Sequence, residues 1–195
     1  ILRTEVLSRL QKGDVVCIVT CPEAVAEKVV SSRELSSRTL KLDVGQQVEV
    51  DYIMDTLAGF GFERVDYVYE PGQYALRGSI VDVFSYASEY PFRVDFFGDE
   101  IDSIRTFEVD TQLSREKKES IAIVPELSVA GSGEFVSFFD FIPKDSILAM
   151  KDFFWVRDRI DTIYEEAVSP LALAADEEHK NELLNISKHL IDGGT

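Results

Sequence analysis

Residues 59–110 read GFGFERVDYVYEPGQYALRGSIVDVFSYASEYPFRVDFFGDEIDSIRTFEVD, and this stretch decides the predicted fold. Apolar and polar side chains alternate through most of it, which is typical of strands with one buried and one polar face. Pro and Gly interrupt the alternation where turns are expected, and Gly98-Asp99 is a two-residue hairpin signal. We therefore predict a mainly antiparallel sheet with strands at about 62–69, 73–77, 79–84, 91–97 and 100–107.

The predicted hairpin at Gly98-Asp99 sets which residues face each other across its two strands. In the simplest register Asp95 faces Asp102, and two facing carboxylates repel, so a cation must lie nearby. Arg93 shares the face of Asp95 because strand residues two apart point the same way, and Arg77 is a second candidate. The core face of this hairpin is then formed by Phe92, Val94 and Phe96.

The segments that flank the sheet have a different pattern. Val15–Val19 and Ser146–Met150 are continuous apolar runs, typical of strands buried on both faces of a parallel sheet, and a helix pattern follows each. We predict an α+β protein in which a mainly antiparallel module is inserted between two α/β segments. The predicted boundaries are 1–35 for the first α/β segment, 36–116 for the module and 117–195 for the second.

Composition excludes several classes of function. The chain has 36 acidic and 20 basic residues among its 195, a net charge of −16. Because nucleic-acid affinity depends on Lys and Arg that neutralise phosphates, we expect little or no direct DNA binding. The sequence has no apolar run of the roughly 20 residues that span a bilayer, so we expect a cytoplasmic protein without membrane contact.

Catalytic motifs are not evident in the sequence. It contains no Gly-x-x-x-x-Gly-Lys-Ser/Thr phosphate loop, and Cys17 with Cys21 is too few ligands for a zinc site, so a buried strand thiol and a helix-start thiol are the better interpretation. Asp95, Asp99 and Asp102 could be imagined as the ligands of a metal-dependent hydrolase, but acidic residues at a hairpin tip are usually solvated. We predict no catalytic, cofactor-binding or metal-binding residue.

Three motifs carry a resemblance to a known family. They are FER at 62–64, PGQYALRG at 71–78 and FRVDFFGDEI at 92–101. They resemble the UvrA-interaction module shared by the excision-repair protein UvrB and the bacterial transcription-repair coupling factor. Residues 71–84, 101–107 and 110–112 are more similar to the coupling factor than to UvrB.

The resemblance implies a function for the chain. The coupling factor is a large multidomain ATPase that displaces stalled RNA polymerase and recruits UvrA to the lesion, and its DNA and ATP contacts belong to other domains. Its N-terminal part resembles the first domain of UvrB with the module inserted, without a working ATP site. The chain is thus expected to be a non-enzymatic, UvrA-binding fragment without a cofactor. The alternative is a DNA-contacting or helicase-like fragment of a UvrB-type repair protein.

The resemblance also implies which residues contact UvrA. They are arginines at the positions of Arg64, Arg77 and Arg93, with an acidic residue at the position of Asp95. UvrB has a further arginine where this chain has Ala75, which removes one arginine contact. Arginine suits such an interface because its planar fork pairs bidentately with carboxylates.

A structural role for the same residues is the competing interpretation. The three arginines could instead pair with neighbouring carboxylates on a solvated face, each pair contributing roughly 0–1 kcal/mol. Tyr74 and Phe84 are further candidate contacts, but a strand aromatic is usually part of the core, and only exposure would make it an interface anchor. The carboxylates that would pair with the three arginines are Asp66, Asp82 and Asp95.

Overall fold

The computed structural model describes residues 2–127, 134–172 and 189–191. The chain divides into two compact units, one of Ile1–Lys12 with Leu35–Ala130 and one of Gly13–Glu34 with Gly131–Thr195. The boundaries predicted at 35 and 116 stay a prediction. In chain order the elements are α1 (Leu2–Gln11), α2 (Pro22–Ala26), β1 (Val29–Val30), α3 (Ser32–Ser37), β2 (Leu40–Asp43), α4 (Val50–Gly59), β3 (Glu63–Arg64), β4 (Gln73–Arg77), β5 (Ile80–Val83), β6 (Phe92–Phe97), β7 (Glu100–Phe107), β8 (Ser114–Lys118), β9 (Ser120–Ile123), β10 (Phe135–Val136), α5 (Phe138–Phe141) and α6 (Phe153–Ala172).

The first unit is built on a six-stranded sheet in the order β3-β4-β5-β6-β7-β8. Every neighbouring pair is antiparallel except β3 and β4, which are parallel, so the predicted α+β class with a mainly antiparallel sheet is confirmed. Four of the five strands predicted in 59–110 occur close to their predicted bounds. The strand predicted at 62–69 is confined to Glu63–Arg64, because the chain turns away before Pro71.

Helix α4 and the separate β2·β9 pair cover one face of this sheet. Ile53 and Leu57 of the helix are fully buried, and Met54 is nearly so. Their spacing of three and four is that of one helix face, so α4 buries one continuous stripe. Strand residues of the same core, all buried, are Leu40, Leu42, Tyr74, Val81, Val83, Phe92, Val94, Phe96, Ile101, Ile104, Ile121 and Ile123.

The end of α4 explains the glycines that follow it. The amide of Gly61 donates to the carbonyl of Ala58 (3.0 Å) and the amide of Phe62 to that of Leu57 (3.0 Å). This pair of bonds is a Schellman motif, which needs a left-handed residue at its centre, and Gly61 has φ of 81°. Phe62 and Leu57 lie in the same core cluster, so the helix end also directs the chain into β3.

The hairpin of β6 and β7 contains a β-bulge that the simplest register missed. Phe97 pairs with Glu100 and Phe96 with Ile101, as predicted, but Asp95 pairs with Ser103. The predicted pairing of Asp95 with Asp102 is therefore wrong. Asp102 is the extra residue of the bulge, and beyond it every residue of β7 has moved one place relative to β6.

In the second unit α2 packs against α6, and β1 pairs with β10 in antiparallel orientation. Its small core consists of Val25, Ala26, Ile160 and Ile191. The strand predictions for Val15–Val19 and Ser146–Met150 are wrong, because both segments lie outside any strand. No described residue pairs with either, and their side chains are largely exposed: Val15 is 100% and Ile147 94% accessible. A continuous apolar run becomes a buried strand only where neighbouring strands hydrogen-bond to it.

Two further predictions from the sequence concern the two cysteines and a helix at residues 176–191. Cys17 is exposed rather than buried in a strand, whereas Cys21 precedes the first turn of α2, as a helix-start thiol. The helix predicted at 176–191 lies outside the described residues except for its last positions. Among the residues described, no helix is both long and apolar enough to cross a membrane.

Gly72 is the position where a side chain would be least tolerated. Its φ is 88°, and an added Cβ would lie 2.3 Å from the hydroxyl oxygen of Tyr86. We expect Gly72→Ala to lower the free energy of unfolding by about 2–3 kcal/mol, because left-handed backbone strain adds to the clash. Gly78→Ala is the matched control, with φ of 63° but nothing within 4 Å of the added Cβ. Equal losses in urea unfolding would show that the contact with Tyr86 is irrelevant.

Candidate functional site

The charged face of the sheet, defined as Arg77, Asp82, Arg93, Asp95 and Arg105, lies opposite the face that α4 covers. Its residues lie on four strands whose registers bring them side by side. Asp82 pairs with Arg93, which pairs in turn with Arg105. Facing residues point to the same side of a sheet, so these side chains emerge together.

Asp82 is the centre of the charged face. Its side chain is completely buried, and Arg93 binds it bidentately, with Nε to Oδ1 at 2.7 Å and Nη2 to Oδ2 at 2.8 Å. Arg77 donates to the same Oδ2. Hydrogen bonding to Asp82 is the main reason that the pKa of the Arg93 guanidinium lies above its ordinary value. Asp82 therefore holds two arginines in fixed positions.

Arg93 is a structural residue rather than a free contact. Besides Asp82, its Nη1 donates to the backbone carbonyl of Gln112 at 3.2 Å. Its guanidinium lies over the ring of Phe107, 4.4 Å from the centroid, and its side chain is only 14% exposed. Arg93 pairs with Asp82 and not with Asp95. Through its contact with Phe107 it connects the charged face to the apolar cluster of Val68, Ala75, Phe84 and Phe107.

Asp95 and Arg105 form a second ion pair on this face. The Nη2 of Arg105 donates to Asp95 Oδ2, and the hydroxyl of Ser103 donates to the same oxygen at 3.2 Å. The Nε of Arg105 is buried and has no hydrogen-bond partner in the described part of the chain. Sequence reasoning did not single out Arg105, because a register without the bulge would place it on the core face beside Phe92.

A groove at the β3 edge of the sheet brings Arg64 and Arg77 together. Its volume is about 660 Å³. The guanidinium of Arg77 lies over the ring of Tyr67, 5.0 Å from its centroid, and half of Tyr67 is exposed. Other residues that line this groove, called the edge groove below, are Val65, Asp66 and Leu76.

Arg64 differs from the other candidate arginines. It is exposed, and within the described residues its side chain makes no hydrogen bond or ion pair, so the pair considered with Asp66 does not form. It lies opposite Tyr74 in the parallel β3·β4 pairing, so its side chain leaves the strand on the side opposite to Arg77. Both arginines reach the edge groove because it lies at the sheet margin.

The two candidate aromatics are core residues. Tyr74 is 5% exposed and packs in the main core under α4, whereas Phe84 is 7% exposed and packs with Val68, Ala75 and Phe107 on the other face. Neither meets the exposure condition for an interface anchor. Tyr67 is the aromatic that the edge groove presents, and its place beside Arg77 could be found only from the structure.

The acidic residues of the hairpin tip do not assemble a metal site. Asp99 and Asp102 are exposed, whereas Asp95 is tied to Arg105. In residues 2–127, 134–172 and 189–191 no three acidic, Cys or His residues could together hold a metal ion.

The sequence also matches known proteins. Residues 40–128, which include the charged face and the edge groove, match the family described as the UvrB interaction domain. The chain is 37% identical over 119 residues to the transcription-repair-coupling factor of Escherichia coli K12, which is 61% of this chain and 10% of that protein. It is 37% identical over 124 residues to that of Bacillus subtilis 168, and 36% over 121 residues to UvrABC system protein B of Lactococcus lactis. The chain spans about a tenth of the length of the coupling factors that it matches.

Proposed function

We propose, on the premise that residues 40–128 form a UvrB interaction domain, that this chain is a non-catalytic fragment that binds UvrA. The docking surface is the edge groove with the adjoining margin of the charged face. The similarity to the coupling factors and to a UvrB protein supports the choice of partner.

The exposed Arg64 beside Tyr67 and Arg77 is the observation that carries the proposal. A side chain without an internal partner loses no internal bond when it pairs with a carboxylate of another protein. Arginine and tyrosine are also the residue types most enriched among interface hot spots. The groove thus presents an arginine that is available and an aromatic with half of its surface exposed.

The charged face gives the docking surface its rigidity. Arg77 is held by Asp82 on one side and by the ring of Tyr67 on the other, while 35% of its side chain stays exposed. A pre-positioned arginine loses less conformational entropy on binding than a mobile one. Arg93 and Asp95 contribute by holding neighbouring side chains in place, with the exposed part of Asp95 at the margin of the surface.

The proposal extends to the whole protein of which such a domain is part. By similarity to the coupling factors, that protein would be a cytoplasmic, ATP-dependent DNA translocase that recruits UvrA to RNA polymerase stalled at a lesion. The phosphate-loop pattern is missing from these 195 residues, so ATP binding would belong to its other domains.

Titration calorimetry with UvrA from the same organism tests the docking surface. We expect Arg64→Glu to weaken binding by about 30-fold or more, the equivalent of about 2 kcal/mol for a hot-spot arginine. Arg64 is a cleaner test than Arg77, because Arg77→Glu would bring a second carboxylate against the buried Asp82 and threaten the fold.

Lys117→Glu is the matched control for this experiment. It makes the same change of charge on β8, at the other edge of the same sheet, and Lys117 is also exposed. The control should bind UvrA as the unmodified chain does. Equal losses of affinity in both variants would show that the effect comes from the overall charge of the chain. Absence of binding by the unmodified chain would refute the proposal.

A further inference from the structure

The first unit contains a second cavity, away from the edge groove. It lies between the end of α1, the strand β2 and the strands β8 and β9, and its volume is about 710 Å³. Cavities that hold small molecules are typically about 300–1,000 Å³. We call it the cationic cleft, because four basic residues line it: Lys12, Lys41, Arg115 and Lys118.

The charge of the cleft is opposite to that of the chain. Only two acidic residues, Glu89 and Glu116, line it beside the four basic ones, whereas the whole chain has a net charge of −16. Glu116 already accepts from Lys118 at 2.7 Å, and this bond keeps the pKa of Glu116 below its usual value. The charge of Glu116 is thus already neutralised by Lys118.

Arg115 is a fixed part of the cleft wall. Its guanidinium lies 4.1 Å from the centroid of the Tyr90 ring and pairs with the carboxylate of Glu108. Hydrogen bonding to Glu108 is the main cause that holds the pKa of Arg115 above its ordinary value. Arg115 is therefore held in a fixed position in the wall of the cleft.

Lys12 and Lys41 are the cations of the cleft that remain available. Both are exposed, and neither side chain has an ion pair or hydrogen bond within the described residues. Lys41 lies opposite Ala122 in the β2·β9 pair, so no cross-strand carboxylate faces it.

A buried hydroxyl gives an independent indication of a ligand. Ser8 lines the cleft from α1 and is 7% exposed, yet its Oγ has no hydrogen-bond partner among the residues that the structure describes. A buried hydroxyl without a partner is destabilising, so such groups are rare unless a ligand or solvent satisfies them. Because the Oγ is itself enclosed, the Ser8 side chain must rotate into the cleft before its hydroxyl donates to a phosphate oxygen.

We infer that the cationic cleft is a binding site for a phosphorylated small molecule. Lys12 and Lys41 neutralise the phosphate, and Ser8 donates to one of its oxygens. The volume of the cleft accommodates the remainder of a molecule of nucleotide size. This site is separate from the docking surface for UvrA, so either proposal can fail without the other.

Calorimetry of the full 195-residue chain with inorganic pyrophosphate and with adenosine 5′-monophosphate tests the inference. We expect Lys12→Gln/Lys41→Gln to lower the affinity for both probes by about 100-fold or more, since the loss of each charged contact weakens binding by about 10-fold or more. Lys144→Gln/Lys151→Gln is the matched control, because it removes the same charge from exposed lysines of the other unit.

Ser8→Ala distinguishes a ligand-binding role of the Ser8 hydroxyl from a purely structural one. Without ligand, its melting temperature should equal or exceed that of the unmodified chain, because the change removes an unsatisfied buried hydroxyl. With pyrophosphate, its affinity should fall several-fold. Absence of binding by the unmodified chain at millimolar probe, or equal losses in the cleft and control lysine variants, would overturn the inference.

Discussion

Asp82→Asn is expected to lower the free energy of unfolding by about 3–5 kcal/mol, because it removes the buried carboxylate that pairs with both Arg77 and Arg93. The amide has nearly the same shape, so packing is kept, but the charge is lost and the new NH2 group is a donor that faces arginine donors. Arg93, at 14% exposure, then loses the carboxylate with which it forms its bidentate ion pair. Urea unfolding followed by far-UV circular dichroism measures the change.

Asp102→Asn is the control for that substitution. Asp102 is exposed at the bulge of the same sheet, and its change should stay within about 0.5 kcal/mol of the unmodified chain. Far-UV dichroism is the suitable probe, since the one tryptophan, Trp155, lies in the other unit. Similar stabilities of both variants would mean that Asp82 does not hold the charged face together.

Phe107→Ala is expected to be nearly as severe, with a loss of about 3–5 kcal/mol. Phe107 is the largest fully buried side chain of the apolar cluster that it forms with Val68, Ala75 and Phe84. Its removal opens a cavity and also takes away the ring over which Arg93 lies. Urea unfolding gives the loss, and binding to UvrA at a temperature where the variant is folded gives the functional effect.

Phe97→Ala separates burial from the mere loss of an aromatic side chain. Phe97 is 83% exposed at the tip of the β6·β7 hairpin, so the same substitution should change stability by less than about 0.5 kcal/mol. If Phe97→Ala were as destabilising as Phe107→Ala, the tip would be packed in solution and the assigned core would be wrong.

The three candidate arginines are not equivalent in the structure. The resemblance alone treats Arg64, Arg77 and Arg93 as equivalent contacts. Their environments differ, since Arg64 has no ion pair within the described part of the chain, Arg77 is shared between Asp82 and the groove, and Arg93 is largely enclosed. The largest effect on binding is therefore expected at Arg64, and the largest effect on folding at Asp82.

The local pattern of apolar, polar and glycine residues was sufficient to predict most strands of the six-stranded sheet. Alternation predicted the strands at 73–77 and 91–97, and the glycine at each two-residue hairpin turn, Gly78 and Gly98, has the positive φ that such turns need. The apolar stripe of α4 and the glycine at its end, Gly61, are local signals of the same kind. These features depend on residues near one another in the chain, so the amino-acid sequence by itself determined them.

Contacts between distant residues decided the rest. The bulge at Asp102 buries both Ile101 and Ile104, whose spacing of three breaks the alternation, and it places Arg105 on the charged face. The shared bond of two arginines to Asp82 depends on the separate registers of β4 with β5 and of β5 with β6. The apolar run Val15–Val19 shows the same limit, because its burial depends on neighbouring strands and not on its own composition. Register and burial are set by packing energy summed over the whole sheet, which only the tertiary structure reveals.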